Sequence, residues 1–470
     1  MRDGEMLDTL IRGGNVVLPD GVHLADIGIK DGVIVALAPH VALSARETID
    51  ASGLFVMAGV VDAHVHLNEP GMGYWEGFAT GSAALAAGGC TTYFDMPLNG
   101  LPPTVTPAAL GKKLAAANAA GSRVDYALWG GLVPGNVDEL DALADEGVIG
   151  FKAFMSSPGD TGEGCFKEVD DVALFEGMKR IARRNKVLAV HAESEEIIQA
   201  LSDKVRKRGG NTARDFLETR PLAAELDAVR RVLLFAERTE CPLHIVHISS
   251  PQAVDVIWEA RMSGVDVTVE TCPHYLVFTD EELERLGPLG KCAPPFRGPR
   301  EREGLWERLA DGKIDLIASD HSPCPPEMKL GPTSDYFAIW GGIAGAQSTL
   351  QLVFDEGHLK RGIPLHVLSK ALSEAPAKRF GLFPRKGRIA IGADADLVLV
   401  HPDSPNVLTP ERLRYRHKIS VYAGRTFSSD IGMTMSRGNV VYTKELGIVG
   451  RASGEWLRAA PDTQRRRQAY

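Results

Sequence analysis

The chain has 470 residues, 44% of them hydrophobic, with a formal net charge of -9 and a sequence pI near 5.9. That length supports a large core and more than one domain, while the acidic balance argues against nucleic acid or an anionic membrane as partner. A small neutral or anionic substrate stays open, because a bound metal can dominate the field inside a pocket.

The opening residues, Met1 to Asp8, lack the basic and apolar regions of a secretory signal. No run of about 18 apolar residues occurs anywhere, so the expectation is a soluble, cytoplasmic protein. Six cysteines, Cys90, Cys165, Cys241, Cys272, Cys292 and Cys324, are scattered without a C-x-x-C pair, as reduced thiols in a cytosolic enzyme would be. From Leu10 to about Met57 the pattern is short and β-like, with Asp31-Gly32 as a hairpin signal between two β-rich runs. The same grammar returns at Asp396–Val400 and Thr434–Val441. Segments 1–57 and 385–449 are therefore expected to close into one small β-sandwich built from both ends of the chain. The polar tail 450–470, ending in Arg465-Arg466-Arg467, reads as a flexible or contact-making arm.

Between these ends, over 58–384, apolar strands alternate with helical stretches. Strands are expected near Val60–Leu67, Thr91–Met96, Asp125–Gly131, Ile149–Met155, Val187–Ala192, Leu243–Ser249, Asp266–Thr271 and Ile314–Ser319. Helical spacing of apolar residues is clearest over Asp170–Arg184 and Pro221–Glu240. The fold class is thus α/β, a (β/α)8 TIM barrel beside the terminal β-sandwich. An open doubly wound sheet is the alternative, but no Gly-rich nucleotide fingerprint follows the first strand.

The candidate chemistry sits on those strands. His64 and His66 are two residues apart, so both side chains leave the same face of a strand and can share one metal ion. Alone that spacing is weak. Four more groups, Lys152, His191, His247 and Asp320, each close another apolar strand. A buried lysine or aspartate would cost several kcal/mol unless paired or bound to metal. In a barrel, all of them fall at the end where catalytic groups gather, and as a set they read as a binuclear metal site.

The motifs Asp62-Ala63-His64-Val65-His66, Asn68-Glu69-Pro70-Gly71, Gly150-Phe151-Lys152-Ala153-Phe154-Met155, Thr271-Cys272-Pro273-His274-Tyr275 and Ser319-Asp320-His321-Ser322-Pro323-Cys324 resemble the cyclic amidohydrolases of the amidohydrolase superfamily. Within that group the resemblance runs to the allantoinase branch and covers nearly the whole chain. It implies that His64, His66 and Asp320 bind one divalent metal ion and His191 and His247 a second. Lys152, carboxylated by carbon dioxide, would bridge them. Zinc suits imidazole and carboxylate ligands, as do cobalt, manganese, nickel or iron. Asp320 is expected to act as base and then acid in opening the hydantoin ring of allantoin. Asn99, Ser322, Ala293 and Ala344 are expected to contact substrate, with His274 and His321 hydrogen-bonded to the ligands.

The Gly-rich run Met155–Gly164 reads as a lid over the site. Where allantoinases often carry arginine, this chain has Met72. Asn68 stands where dihydroorotases place a carboxylate-gripping arginine, and Ser157 where dihydropyrimidinases place a tyrosine. The resemblance further implies a homotetramer. The alternatives are a hydantoinase or dihydropyrimidinase, and a non-catalytic scaffold of the same fold.

Overall fold

In a computed structural model of the chain, which describes residues 6–159, 162 and 164–459, the β-like opening segment folds as five strands: β1 (Leu7–Leu18), β2 (Gly21–Lys30), β3 (Val33–Ala38), β4 (Ala45–Asp50) and β5 (Phe55–Ala58). Asp31 and Gly32, at φ of 50° and 78°, turn β2 into β3 and bring Lys30 opposite Val33. This is the two-residue hairpin in which both central residues need positive φ. The β1 strand shifts register between Ile11 and Gly14, so its first half pairs with β4 and its second half with β5.

The middle of the chain supplies β6 (Val60–Val65), β7 (Cys90–Asp95), β8 (Asp125–Leu128), β9 (Gly130–Gly131), β10 (Phe151–Phe154), β11 (Leu188–His191), β12 (Leu243–Ile245), β13 (Val267–Thr271) and β14 (Leu316–Ile317). They form two parallel sheets, β6 to β8 and β9 to β14. Their residues are almost wholly buried, which is why the strands read as continuous apolar runs and not as alternating ones. The two sheets meet at both edges. On one side the chain runs from β8 through Trp129 into β9, and Ile149 N donates to Leu128 O at 2.9 Å. On the other, Val65 bridges His321 in parallel and His66 N donates to His321 O at 2.8 Å.

Helices separate most of these strands, including both expected ones, at Asp171–Arg183 and Leu222–Thr239. The first is capped by Asp170, whose carboxylate accepts from Ala173 N at 2.7 Å. It buries Leu174, Gly177, Met178 and Ile181, the i, i+3, i+4, i+7 stripe of a helix on a core.

The closing segment adds β15 (Leu397–His401), β16 (Asn406–Val407), β17 (Thr426–Phe427), β18 (Asp430–Ser436), β19 (Asn439–Thr443) and β20 (Gly447–Ile448). Strand β15 pairs antiparallel with β5, Leu397 opposite Ala58. Both chain ends therefore share one nine-stranded sheet, so the expected terminal β domain is joined by main-chain pairing as well as by packing. Beneath the parallel strands, Lys386 Nζ contacts Asp125, Asp394 and Asp396 at 2.6, 2.9 and 2.7 Å. The segment expected to be a flexible or contact-making arm is in part bound down. Tyr126 N donates to Glu455 O at 2.9 Å and Leu457 N to Tyr126 O at 2.7 Å; residues 460–470, with the three arginines, lie outside the described residues. No helix among the described residues is long and apolar enough to cross a membrane.

Candidate metal centre

Parallel strands point all their C-terminal ends the same way, and the six candidate ligands lie at or near those ends. His64 is in β6 with His66 just beyond it; Lys152 is in β10; His191 ends β11; His247 and Asp320 follow β12 and β14. Asp320 Oδ1 lies 3.2 Å from His64 Nε2 and 3.4 Å from His66 Nε2, and the ligand atoms of these three residues lie within 4.8 Å of one another. A second pair forms beside them, with His191 Nδ1 and His247 Nε2 3.0 Å apart. The His64 and His247 rings, 5.5 Å between centroids, link the two groups. His247 and Asp320 also hold left-handed backbone, at φ of 39° and 46°. Such strain costs on the order of 1–3 kcal/mol for a residue with a side chain and gathers at functional sites.

Lys152 stands among these groups with no exposed surface and, among the described residues, no hydrogen-bond partner for its amine. Burial pushes its pKa down to about 8, against the pull of Asp320 and Glu270. Burial likewise lowers His64, His191 and His247, with the Lys152 charge adding to each. Burial thus favours the neutral imidazole, the form that offers a lone pair to a metal. Burial opposes the charge of Asp320, but His64, His66 and His247 outweigh it and hold that carboxyl well below the usual range. Four imidazoles, one carboxylate and an unsatisfied buried amine fit a pair of divalent ions of the zinc type.

Two other groupings do not fit. Cys272, His274 and Asp320 also converge, but Asp320 is the carboxylate already set against His64 and His66. Asp125, Asp394 and Asp396 converge as well, around the Lys386 ammonium already seated there.

Sequence reasoning missed the carboxylates behind the ligands. Glu270 Oε1 accepts from His64 Nδ1 at 2.9 Å, and Oε2 from His244 Nε2 at 3.2 Å. Burial opposes its charge, but His64 and His244 outweigh it and bring it down to about 2. Glu193 Oε2 accepts from His191 Nε2 at 2.9 Å and from Arg220 Nη1 at 2.6 Å. Their signals were present: Glu270 is a charged residue inside the apolar run of β13, and Glu193 follows His191 at strand spacing.

The two expected supporting histidines part company. For His321 the main-chain carbonyl accepts from His66 N and the ring Nδ1 from Gly345 N at 3.2 Å, while the ring Nε2 has no hydrogen-bond partner among the described residues. His274 does not bond the ligands; neither ring nitrogen has a hydrogen-bond partner.

Of the expected substrate residues, Ser322 and Ala344 line one cleft of about 320 Å³, with Lys329, Cys324 and His417. The Ala344 carbonyl is already taken by Ser420 Oγ at 2.7 Å, which leaves its N–H. Asn99 lines a second cleft of about 250 Å³ with Met72, Pro158 and Phe166. Ala293 lines neither. Met72 packs in an apolar patch with Trp75, Cys324, Met328 and Trp340, where an arginine would have to carry its charge into hydrocarbon. In the expected lid, Ser157 N donates to Glu195 Oε2 at 2.8 Å, while Asp160, Thr161 and Glu163 lie outside the described residues.

The amidohydrolase family profile matches residues 55–441. A protein named allantoinase from Solibacter usitatus is 49% identical over 458 residues, 97% of this chain and 98% of its own. One of the same name from Rubrobacter xylanophilus is 50% identical over 435 residues, 93% and 94% of the two chains. Among solved structures, L-hydantoinase (dihydropyrimidinase) from Arthrobacter aurescens superposes with a TM-score of 0.93 at 36% identity, covering 96% of this chain and 100% of that one. A D-hydantoinase from a Bacillus sp. gives a TM-score of 0.87 at 29% identity, covering 96% and 99%.

Proposed function

The chain belongs to the amidohydrolase family, and we propose that it is a hydrolase of cyclic amides that opens the hydantoin ring of allantoin to allantoate, a step of purine (ureide) catabolism. The observation that carries a metal-dependent hydrolysis is Lys152, an amine without solvent or partner amid four histidines and an aspartate. Full-length likeness to the allantoinases supports the substrate. In this reading the two parallel sheets are one (β/α)8 barrel over 58–384, with 1–57 and 385–449 as a β-sandwich beside it. The protein is cytoplasmic and homotetrameric, residues 450–470 serving as a tail or contact arm.

His64, His66 and Asp320 would hold one divalent ion and His191 and His247 the other, with Lys152, as a carbamate, a ligand to the pair. The neutral Lys152 amine would give its lone pair to the carbon of carbon dioxide and release a proton, which turns an uncharged amine into a carbamate anion with two oxygens to offer as ligands. Zinc suits this set best. When bound, such a pair of ions lowers the pKa of a shared water and polarises the carbonyl under attack. Asp320 would take the proton of the attacking water on its carboxylate and deliver it to the ring nitrogen as the C–N bond breaks. Ser322, Asn99 and the main-chain groups of Ala293 and Ala344 hold the ring and its ureido arm.

The hydantoinase reading has one observation in its favour, the TM-score of 0.93 to an L-hydantoinase. Turnover of allantoin, hydantoin, dihydrouracil and dihydroorotate by metal-loaded enzyme separates the two. Allantoin should have the highest kcat/KM; a higher value for hydantoin or dihydrouracil would install the rival. A scaffold would turn over none and take up no metal.

A further inference from the structure

Each half of the centre contains one histidine backed by a buried carboxylate and one that is not. Behind His64, Glu270 accepts from Nδ1 at 2.9 Å; behind His191, Glu193 accepts from Nε2 at 2.9 Å. Both glutamates are fully buried. In contrast, His66 Nδ1 and His247 Nδ1 have no hydrogen-bond partner among the described residues.

An ionised carboxylate can only accept, so the ring nitrogen facing it must carry the proton and the other nitrogen must keep its lone pair. For His64 the lone pair then lies on Nε2, which faces Asp320 Oδ1 at 3.2 Å. For His191 it lies on Nδ1, which faces His247 Nε2 at 3.0 Å. We propose that Glu270 and Glu193 are positioning residues, each fixing the tautomer of one histidine so that each metal position has one preset and one adaptable imidazole. The inference rests on the binuclear reading given above.

The two carboxylates are not equivalent. Glu193 shares its charge with Arg220, whose Nη1 donates to it at 2.6 Å. The partners of Glu270 are imidazole N–H groups and the His247 main-chain N–H at 3.2 Å, with no lysine or arginine bonded to it. At the first position the carboxylate thus has imidazole and main-chain donors but no guanidinium beside it. Loss of an outer carboxylate typically weakens metal binding about 10–100-fold; Glu270→Gln belongs at the upper end of that range and Glu193→Gln at the lower.

The test is metal titration of apo-protein with Zn²⁺ against a competing chelator, with stoichiometry by elemental analysis and folding checked by thermal melting. Wild type should take two ions per chain, and each variant should hold one of them more weakly. Added to His191→Ala, Glu193→Gln should weaken binding no further, whereas added to His64→Ala it should show its full effect; Glu270→Gln should show its full effect in His191→Ala and a smaller one in His64→Ala, since it also holds the His247 main chain. Such selective non-additivity is a signature that general loosening would not produce. Wild-type affinities in both glutamine variants, or equal losses in both histidine backgrounds, would overturn the positioning roles and leave the binuclear centre standing. Fewer than two ions in the wild type would overturn the centre and the inference with it. If Glu270→Gln does not fold, the Glu193 arm decides the matter alone.

Discussion

Lys152 and Lys386 are both removed from water, at 0% and 1% exposure, and their surroundings are opposite. Lys386 bonds three carboxylates at the entry end of the strands. Burial opposes its charge, yet Asp396 and Asp125 outweigh burial and raise its pKa above the usual lysine value. Lys152, among the candidate ligands, has no such neighbour in bonding range, and burial prevails. A buried charge with its partners in place acts as a structural tie between domains. One without them is a group waiting for another chemical state, which is why Lys152 marks the site and Lys386 does not.

The sharpest way to break this contrast is Lys152→Ala. It should be almost inactive and metal-poor, with part of the activity restored by a short carboxylic acid in place of the carbamate. Full activity in chelator-treated buffer would remove the special status of Lys152.

Next in size is Asp320→Asn, which should retain much of its metal and lose about 10²–10⁴ in turnover, the usual weight of a lost proton carrier. Metal content measured beside single-turnover rate checks it; a loss explained wholly by missing metal would leave Asp320 as a ligand only.

On the structural side, Lys386→Met takes the ammonium from Asp396 and leaves Asp394 and Asp125 only Arg385 and Arg437, and should cost about 3–5 kcal/mol of stability. Denaturant unfolding reads the loss, and kcat per folded molecule should stay unchanged. An unshifted midpoint would mean that the tie carries no load.

The mildest effect belongs to Lys291, an intermediate case whose amine donates to Phe337 O at 3.0 Å and Ile339 O at 2.5 Å. Burial, then Lys329, pushes its pKa down to about 7 from 10.5. Between those values the unfolded chain binds the extra proton, so stability rises with pH by up to about 1.4 kcal/mol per unit. Lys291→Met should flatten that slope in unfolding curves taken across the window, and an unchanged slope would assign it to another group.

Much of this arrangement was readable in the sequence, because both its signals are local. All eight expected strands of the middle region are present, since an apolar run between turn residues needs no distant partner to be recognised. The ligands were readable because a lysine or aspartate ending such a run is anomalous in itself. Helices Glu195–Lys207 and Ala213–Thr219 escaped because their faces are mostly polar. Glu193, Arg220 and Glu270 escaped because their meaning depends on which strand lies next to which. The same holds for Lys386, whose partner Asp125 is far away in the chain. His274 shows the reverse error: a histidine in a family motif suggests a hydrogen bond, but only coordinates show that both nitrogens are unbonded.

The pairing of β5 with β15 has a consequence for how the protein is made. During synthesis β5 emerges early, while β15 appears only after the whole alternating region has been translated. Until then β5 is an unpaired strand edge beside the β1–β4 cluster, open to pairing with another chain. Closure of that edge is a contact of very long sequence separation, the kind that forms slowly because a large loop must be ordered first. A nascent or truncated chain ending before Leu397 should therefore be prone to aggregation even with its alternating region complete, because its first strands lack the neighbour that finishes their sheet.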